Sequence, residues 1–547
     1  MSADVVCKAR KRGHMLKYKN MKRSQERTER RQFHHDDPDF TAAVSAVSAV
    51  RLEKGRPLQA FVRTFGCQQN ENDSEKIRGI LKDIGYLEAE NYEDADFILI
   101  NTCSIRENAD QRLFGHLGKI KTLRESRPSL ICGVCGCLPT QEEQREKIKK
   151  SFSFVQLLFG PADISKLPSM IARLYGGEKR LDQVSDQLEV CEGMPQLRER
   201  RDRALVSIMY GCDNFCSYCV VPYTRGRERS RHFEDILREC REAAEEGIPE
   251  IMLLGQNVNA WGFDLFQGRQ KNPPLRWTEE DETRLRAVQK GEEEARTFAQ
   301  LLAAISALPG VRCVRYMSSH PRDFTGEMLA ALKICPEIEN HLHLPLQAGS
   351  DAVLKAMNRH YDRARYEEII KAVREVRPDI SITTDLMVGF PGESEEDFQD
   401  TLRIVREIEF DAAFTFIYSE RPGTPAANRE QIPMDIRHDR FNRLAELQNR
   451  LTARSYERIV GTERDVILEG VSRSEPCSLS ARDSEFHLIN LKIPEGYPLP
   501  EGALGSDGAY DPRFFPGLVA RVKILRSRDF SAEGEILLLS ERKIPNA

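Results

Sequence analysis

No uninterrupted apolar run in this 547-residue chain approaches the ~20 residues that a membrane-spanning helix requires. The first 35 residues hold 11 Lys or Arg and no apolar core, so a secretory signal is not expected. An excess of one charge is lacking as well. The 81 Lys and Arg stand against 86 Asp and Glu, a net of −5. That excludes a polyanion binder working through bulk charge, but not a local basic patch. No period typical of solenoid repeats is visible. Collagen-like, mucin-like and membrane classes are excluded, and a cytoplasmic protein with no membrane partner is expected.

Hydrophobic residues make up 40% of the chain, enough to bury cores. At roughly 100–200 residues per domain, the length suggests three or four. Fourteen cysteines are present, in a large chain with no expected export signal. Their thiols should be reduced, and clusters of them point to metal or catalysis rather than disulfides.

Residues 1–57 read as a basic, mobile tail. It is a solvated extension, an arm that tracks RNA phosphates, or residues foreign to the natural chain. From Leu58 strand and helix patterns alternate: LQAFVRTFG, then a helix starting near Asp73 or Ser74 and stopping before Gly85, then DADFILINTC, a second helix, and LICGVCGC. This predicts an open α/β sheet over 58–176. Cys67, Cys103 and Cys137 each follow a strand, 36 and 34 residues apart, about one β-α repeat each. Ligands of such sheets sit beyond the carboxyl ends of strands, so the three thiols could converge there.

Residues 177–203 read as a polar linker. A second β-α series over 204–456 holds six strand-like runs, which predicts a partial or full TIM-like β/α barrel. A polar and mobile insertion at 262–296 interrupts it. Short alternating strands over 457–545 predict a small β-barrel.

Cys212, Cys216 and Cys219 are spaced C-x-x-x-C-x-x-C after the first strand of that series. Three thiolates on one short loop can hold three irons of a 4Fe–4S cube, leaving the fourth iron open. Zinc is the alternative, but structural zinc normally takes four ligands, and no fourth Cys or His lies nearby in sequence.

This triad, with Tyr218 before its last cysteine, resembles the radical S-adenosylmethionine (SAM) superfamily. The runs TFGCQQNENDSE, NTCSIRENA, GCLPT, CDNFCSYCVVPYTRGRERSR, LLGQNVNAW, SSHP, HLPLQAGSD, LKAMNR, DLMVGFPGESEEDF and YSERPGTPAA follow the order seen in the methylthiotransferases of that superfamily. The resemblance covers about residues 58–540. It implies an N-terminal domain with an auxiliary 4Fe–4S cluster on Cys67, Cys103 and Cys137. It further implies a radical SAM barrel whose 4Fe–4S cluster sits on Cys212, Cys216 and Cys219, and a C-terminal RNA-binding TRAM domain. Ser104, Ile105, Arg106 and Glu107 resemble the MiaB branch, which places a methylthio group on carbon 2 of N6-isopentenyladenosine beside the tRNA anticodon. That carbon bears no acidic proton and no leaving group, so sulfur insertion there needs radical chemistry. The implied reaction uses two SAM molecules and sulfur held at the auxiliary cluster. Implied partners are a tRNA carrying the isopentenyl nucleoside, a flavodoxin- or ferredoxin-like electron donor, and Fe–S and sulfur supply proteins. The alternatives are a methylthiotransferase acting on a ribosomal-protein aspartate or on threonylcarbamoyl-adenosine of tRNA, and an Fe–S electron carrier or RNA-binding protein without turnover.

Tyr218, Gly255, Gln256, Asn257, Gln347, Ser350 and Asp385 lie at or near barrel strand ends and are expected to face SAM. Ordinary β-α turn chemistry is the other reading. His320 and His343 are expected as structural histidines. Cys132 and Cys135 are expected to pack as small hydrophobes. Arg225, Arg227 and Arg229, with Arg231, are expected to contact RNA phosphates. Arg521 and Lys523 alternate on one strand and are expected to track an RNA backbone, unless they are merely a polar outer face.

Overall fold

The computed structural model describes residues 29–104, 107–185, 189–266, 270, 272–472, 477–494, 497–499, 502–504 and 509–540. Ile105 and Arg106, on which the branch assignment leans, lie outside them. The described chain forms two compact units. One holds residues 29–199, 209–213 and 219–231; the other holds 200–208, 214–218 and the rest from 232.

The first unit opens with strand β1 (Glu29–Gln32) and helix α1 (Pro38–Lys54). It continues as β2 (Gln59–Phe65), α2 (Gln68–Asp83), β3 (Leu87–Glu88), β4 (Phe97–Thr102), α3 (Glu107–Ser126) and β5 (Ile131–Gly136). Then come α4 (Glu142–Ser151), β6 (Leu157–Phe159), α5 (Leu167–Tyr175), β7 (Leu181–Gln183) and β8 (Glu189–Glu192). Six strands form one parallel sheet in the order β3-β2-β4-β5-β6-β7. All six residues of β4, Phe-Ile-Leu-Ile-Asn-Thr, are buried, as a parallel strand covered on both faces requires. Residues of α1, α2 and α5 pack on one face through Phe40, Val47, Ile77, Ile80 and Met170. Leu113 and Leu117 of α3 and Ile148 of α4 pack on the other. The order of strands reverses between β2 and β4, which makes that gap the switch point where doubly wound sheets bind ligands.

Two expectations for this unit are corrected. The tail was expected to be mobile through residue 57, yet residues 29–57 carry β1 and α1. Asp37 caps α1, Gly55 ends it at φ 63°, and Phe40, Ala43 and Val47 seat it in the core. Basic residues around this helix masked its three apolar anchors. The polar stretch 177–203 is likewise not a bare linker, since β7 completes the sheet and β8 pairs in parallel with β1.

The second unit starts at β9 (Arg203–Ser207). The ribbon of β10 (Met209–Tyr210) and β11 (Arg229–Ser230), with the short helix α6 (Val221–Thr224) between them in the chain, belongs to the first unit. The barrel series then runs α7 (Phe233–Glu245), β12 (Glu250–Leu254), α8 (Glu279–Gln289), α9 (Phe298–Ser306), β13 (Cys313–Tyr316), α10 (Gly326–Ile334) and β14 (His341–His343). It ends with α11 (Asp351–Ala356), α12 (Arg363–Val376), β15 (Ser381–Val388), α13 (Glu395–Ile408), β16 (Ala412–Ile417) and α14 (Met434–Arg458). Two parallel three-stranded sheets, β13-β12-β9 and β14-β15-β16, are joined by the parallel bridge between Val314 and Ile338. Among the described residues no pairing joins β9 to β16, so this is the partial form of the expected barrel. Part of the insertion is the regular helix α8, which its polar composition did not announce. Thr278 and Asp281 form a capping box, and Leu285 and Val288 of α8 are buried.

Five strands close the C-terminal barrel: β17 (Glu463–Val471), β18 (Leu479–Asp483), β19 (Leu488–Lys492), β20 (Val519–Arg528) and β21 (Ser531–Leu539), in the order β17-β18-β19-β21-β20. Sequence patterning missed β18, whose only buried apolar residues are Leu479 and Ala481.

Residues in and just before the β/α strands form a buried ionic layer. Arg315 reaches Glu250 at 3.3 Å and Glu339 at 2.6 Å, and Arg203 pairs with Asp202 at 2.9 Å and with Glu469 of β17. Burial pushes Glu339 up to about 8 despite Arg315. Burial also acts on Glu250, but Arg315 and Arg203 hold that carboxyl below its usual range. Phe486, in the turn between β18 and β19, caps this layer. Its ring stacks on His341 at 5.0 Å and lies 4.4 Å from the Arg315 guanidinium.

Candidate functional site

Cys67 immediately follows Gly66 at the end of β2 and is the N-cap of α2, with extended backbone at φ −90° and ψ 173°. Its carbonyl accepts the N–H groups of Asn70 (2.8 Å) and Glu71 (3.2 Å). The helix therefore starts five or six residues earlier than Asp73 or Ser74 predicted, and the Cys67 thiol sits at its positive end. Cys103 follows β4 and is fixed by its N–H to the Phe65 carbonyl at 2.8 Å. Cys137 follows β5, with its N–H on the Thr102 carbonyl at 2.9 Å. Ladder bonds thus continue past the strand ends and bring all three cysteines to the switch-point edge of one sheet.

The electrostatics of this edge differ from one cysteine to the next. A hydrogen bond with Cys103 holds the Cys67 thiol down to about 6 against burial, assisted by the charge of Arg225 and the helix N–H groups. Burial pushes Cys137 up, and Arg225 opposes it. The Arg225 Nε donates to the Cys137 Sγ at 3.2 Å, while its Nη2 donates to Asp73 Oδ2 at 2.7 Å. Cys132 and Cys135 differ, as expected. They pack into the clusters on opposite faces of the sheet, and burial pushes Cys132 up to about 12, so both stay neutral.

Gly136 is the hinge that turns Cys137 off the strand. It sits at φ 96°, and a Cβ there would lie 2.4 Å from both Asn101 Oδ1 and the Thr102 carbonyl oxygen. Gly136→Ala is expected to cost at least about 1–3 kcal/mol in backbone strain alone. Thermal unfolding should show the loss, with less iron retained per chain after reconstitution.

The second cysteine set lies on the loop after β10, and its members are held separately. Cys212 and Cys219 belong to the first unit, where the Cys212 N–H bonds the Gly226 carbonyl at 3.2 Å. Gly211 at φ 75° allows that approach, since a Cβ would stand 2.1 Å from the Arg227 carbonyl oxygen. Cys216 belongs to the second unit. There the buried Arg359 donates Nη1 to its Sγ at 3.4 Å, and the Asn358 amide holds the Phe215 carbonyl at 2.9 Å. Burial works against the Arg359 charge, but Tyr361, Tyr218 and Cys216 keep it well above its ordinary range. Sequence reasoning missed Arg359, although it closes the run LKAMNR.

The expected SAM-facing residues differ in how the fold engages them. Gly255 and Gln256 follow β12 half-buried, while Asn257 is buried and donates Nδ2 to Asp323 at 2.9 Å. The Asn257 Oδ1 has no hydrogen-bond partner, an open acceptor at a barrel strand end. Gln347 stands at φ 73°, its N–H on the Asp385 carbonyl and its own carbonyl on the Met387 N–H, both 2.8 Å. Asp385 is half-buried on β15, 3.7 Å from His343 Nε2. Ser350 is occupied: it caps α11 and gives its hydroxyl hydrogen to Asp397 of α13. His343 bonds Thr383 at 3.0 Å, and the His320 Nδ1 accepts the Arg322 N–H at 3.2 Å.

The arginines after the triad are a correction. Arg225 and Arg229 are only 5% and 3% exposed, and Arg231 is buried against Glu192 at 2.7 Å. Arg227 grips Asp213 with two bonds of 2.7 and 2.8 Å. Carboxylates and carbonyls inside the unit take up much of this charge, and of the four arginines only Arg227 is partly exposed. By contrast, Arg521 and Lys523 are exposed on one side of β20; Arg521 also pairs with Asp465 at 3.1 Å.

Two families match the chain: the radical SAM superfamily over residues 206–405, and the uncharacterized protein family UPF0004 over residues 59–160. The tRNA-2-methylthio-N(6)-dimethylallyladenosine synthase of Clostridium tetani is 40% identical over 491 residues, covering 89% of this chain and 98% of its own. The synthase of the same name from Desulforamulus reducens is 40% identical over 478 residues, covering 87% and 95%. Among solved structures, the radical S-adenosylmethionine methyltransferase TsrM of Kitasatospora setae covers 68% of this chain and 77% of its own at TM-score 0.47 and 12% identity. A relative 40% identical over nearly its whole length shares its architecture and its family, and the chain belongs to the tRNA-2-methylthio-N(6)-dimethylallyladenosine synthase family of the radical SAM superfamily.

Proposed function

We propose that this chain inserts a methylthio group at carbon 2 of N6-isopentenyladenosine in tRNA. The observation that carries this reading is the 40% identity, over 98% of its length, to a synthase named for that product. The donor chemistry supports it, since two separate sets of three cysteines are present in a chain where none is bridged to another among the described residues. Cys212, Cys216 and Cys219 are the ligands of the radical SAM cluster, and Cys67, Cys103 and Cys137 those of the auxiliary cluster. When bound, two 4Fe–4S clusters and SAM supply the electron, methyl and hydrogen-abstracting chemistry that acid–base side chains cannot.

The chain's own residues hold and orient these groups. Arg225 and Arg359 each place a buried guanidinium on one cysteine sulfur, Cys137 and Cys216, and so fix where that sulfur stands. The amide of Asn257, with Gln256, Gln347 and Asp385, offers acceptors and donors at barrel strand ends for the polar groups of SAM. Arg521 and Lys523 supply a sequence-independent contact to tRNA phosphates. A low-potential electron donor and Fe–S and sulfur supply proteins complete the partner set. No helix of the described residues is long and apolar enough to cross a membrane.

Nucleoside analysis of tRNA tests the substrate. A strain lacking the gene should accumulate N6-isopentenyladenosine and lose its 2-methylthio form, and the intact gene should restore it. Persistence of that nucleoside, or loss of a methylthiolated threonylcarbamoyl-adenosine instead, would overturn the assignment.

A further inference from the structure

Arg225 is the least expected residue of the auxiliary site. Its guanidinium is 95% hidden from solvent, where an unpaired charge costs several kcal/mol. It spends its donors on two partners from distant parts of the chain: Nε on the Cys137 Sγ at 3.2 Å and Nη2 on the Asp73 Oδ2 at 2.7 Å. Asp73 is itself buried in α2, the helix whose N-cap is Cys67. One cation therefore links the helix that carries the first cysteine to the sulfur of the third. The Asp73 carboxylate is enough to balance the charge of an arginine of purely structural use. The second contact places the guanidinium directly on the sulfur of the third cysteine, where its charge acts on whatever that sulfur binds.

We infer that Arg225, anchored by Asp73, is a positioning residue that fixes a positive charge against the Cys137 sulfur and raises the electron affinity of the auxiliary cluster. This rests on the assignment of Cys67, Cys103 and Cys137 proposed above. A fixed positive charge beside a cluster ligand stabilises the reduced, more negative state over the oxidised one, and a neighbouring carboxylate does the reverse. The two residues should therefore shift the redox balance in opposite directions.

The experiment uses the full-length chain carrying Cys212→Ala, Cys216→Ala and Cys219→Ala together, so that one cluster remains. Its reduced fraction is read by electron paramagnetic resonance at fixed potentials, alongside iron per chain. Arg225→Gln should lower the reduced-to-oxidised ratio about tenfold, equivalent to about 59 mV. Asp73→Asn should raise that ratio, because Arg225 then faces the sulfur unopposed. Arg225→Lys keeps the charge and should recover most of the parental ratio. An unchanged ratio in Arg225→Gln, or a fall in Asp73→Asn, would overturn the inference. If the Arg225 variants bind no iron, Asp73→Asn decides alone: a rise supports the inference and no rise overturns it. A parent that itself holds no cluster would instead refute the cysteine assignment, and the inference with it.

Discussion

Changing any one of Cys212, Cys216 and Cys219 to alanine is expected to drop 5′-deoxyadenosine release to background when anaerobic, reduced protein meets SAM. Three ligands are the fewest that leave one iron open while fixing the other three. Removing one leaves a site that loses iron or binds it without the geometry for SAM. The structure adds a reason to expect the same loss from each position. Cys212 is tied through its own N–H to the Gly226 carbonyl, and Cys216 is held through its sulfur by Arg359. Neither cysteine sits on a loop free to move a substitute into place. Chromatography of the quenched reaction gives the nucleoside yield directly. A variant that still releases 5′-deoxyadenosine at the parental rate would show that the triad is not the SAM-cleaving centre.

The second large effect separates the two cysteine sets. Cys67→Ala should retain 5′-deoxyadenosine formation while methylthiolation of tRNA vanishes. The chemistry assigned to Cys67, Cys103 and Cys137 comes after radical formation, at the step that delivers sulfur. Their site is also built entirely within the first unit, from strand ends β2, β4 and β5, so its loss should leave the barrel intact. Mass spectrometry of tRNA nucleosides beside the 5′-deoxyadenosine yield makes the comparison in one reaction. If the Cys67→Ala protein still produces the 2-methylthio nucleoside, sulfur is held somewhere else.

The parts of this molecule that follow a short-range period were legible in the sequence. Buried runs such as Phe97–Thr102 and the turns that end them announced the strands, and the cysteines after those strands came with them. The six barrel strands were readable for the same reason. What escaped depends on partners far along the chain. Arg225 and Arg229 read as an exposed basic row because nothing near them in sequence says otherwise. What hides Arg225 is Asp73, 152 positions earlier. The start of α2 was misplaced because Asp73 and Ser74 resemble a cap, while the actual cap is a cysteine that makes no side-chain capping bond. Ser350 was read as a cofactor contact because it follows a strand; its hydroxyl belongs instead to Asp397, on a helix 47 positions later.

The turn carrying Phe486 gives the C-terminal barrel a duty besides any grip on nucleic acid. It is the floor of the larger barrel, packed against His341 and Arg315 at the end where the strands begin. The five-stranded module is thus not an appendage that evolution or an engineer could trim away at Arg458. Without it, the buried pairing of Arg315 with Glu250 and Glu339 would open to water, and charges that now sit against an aromatic ring would be hydrated instead.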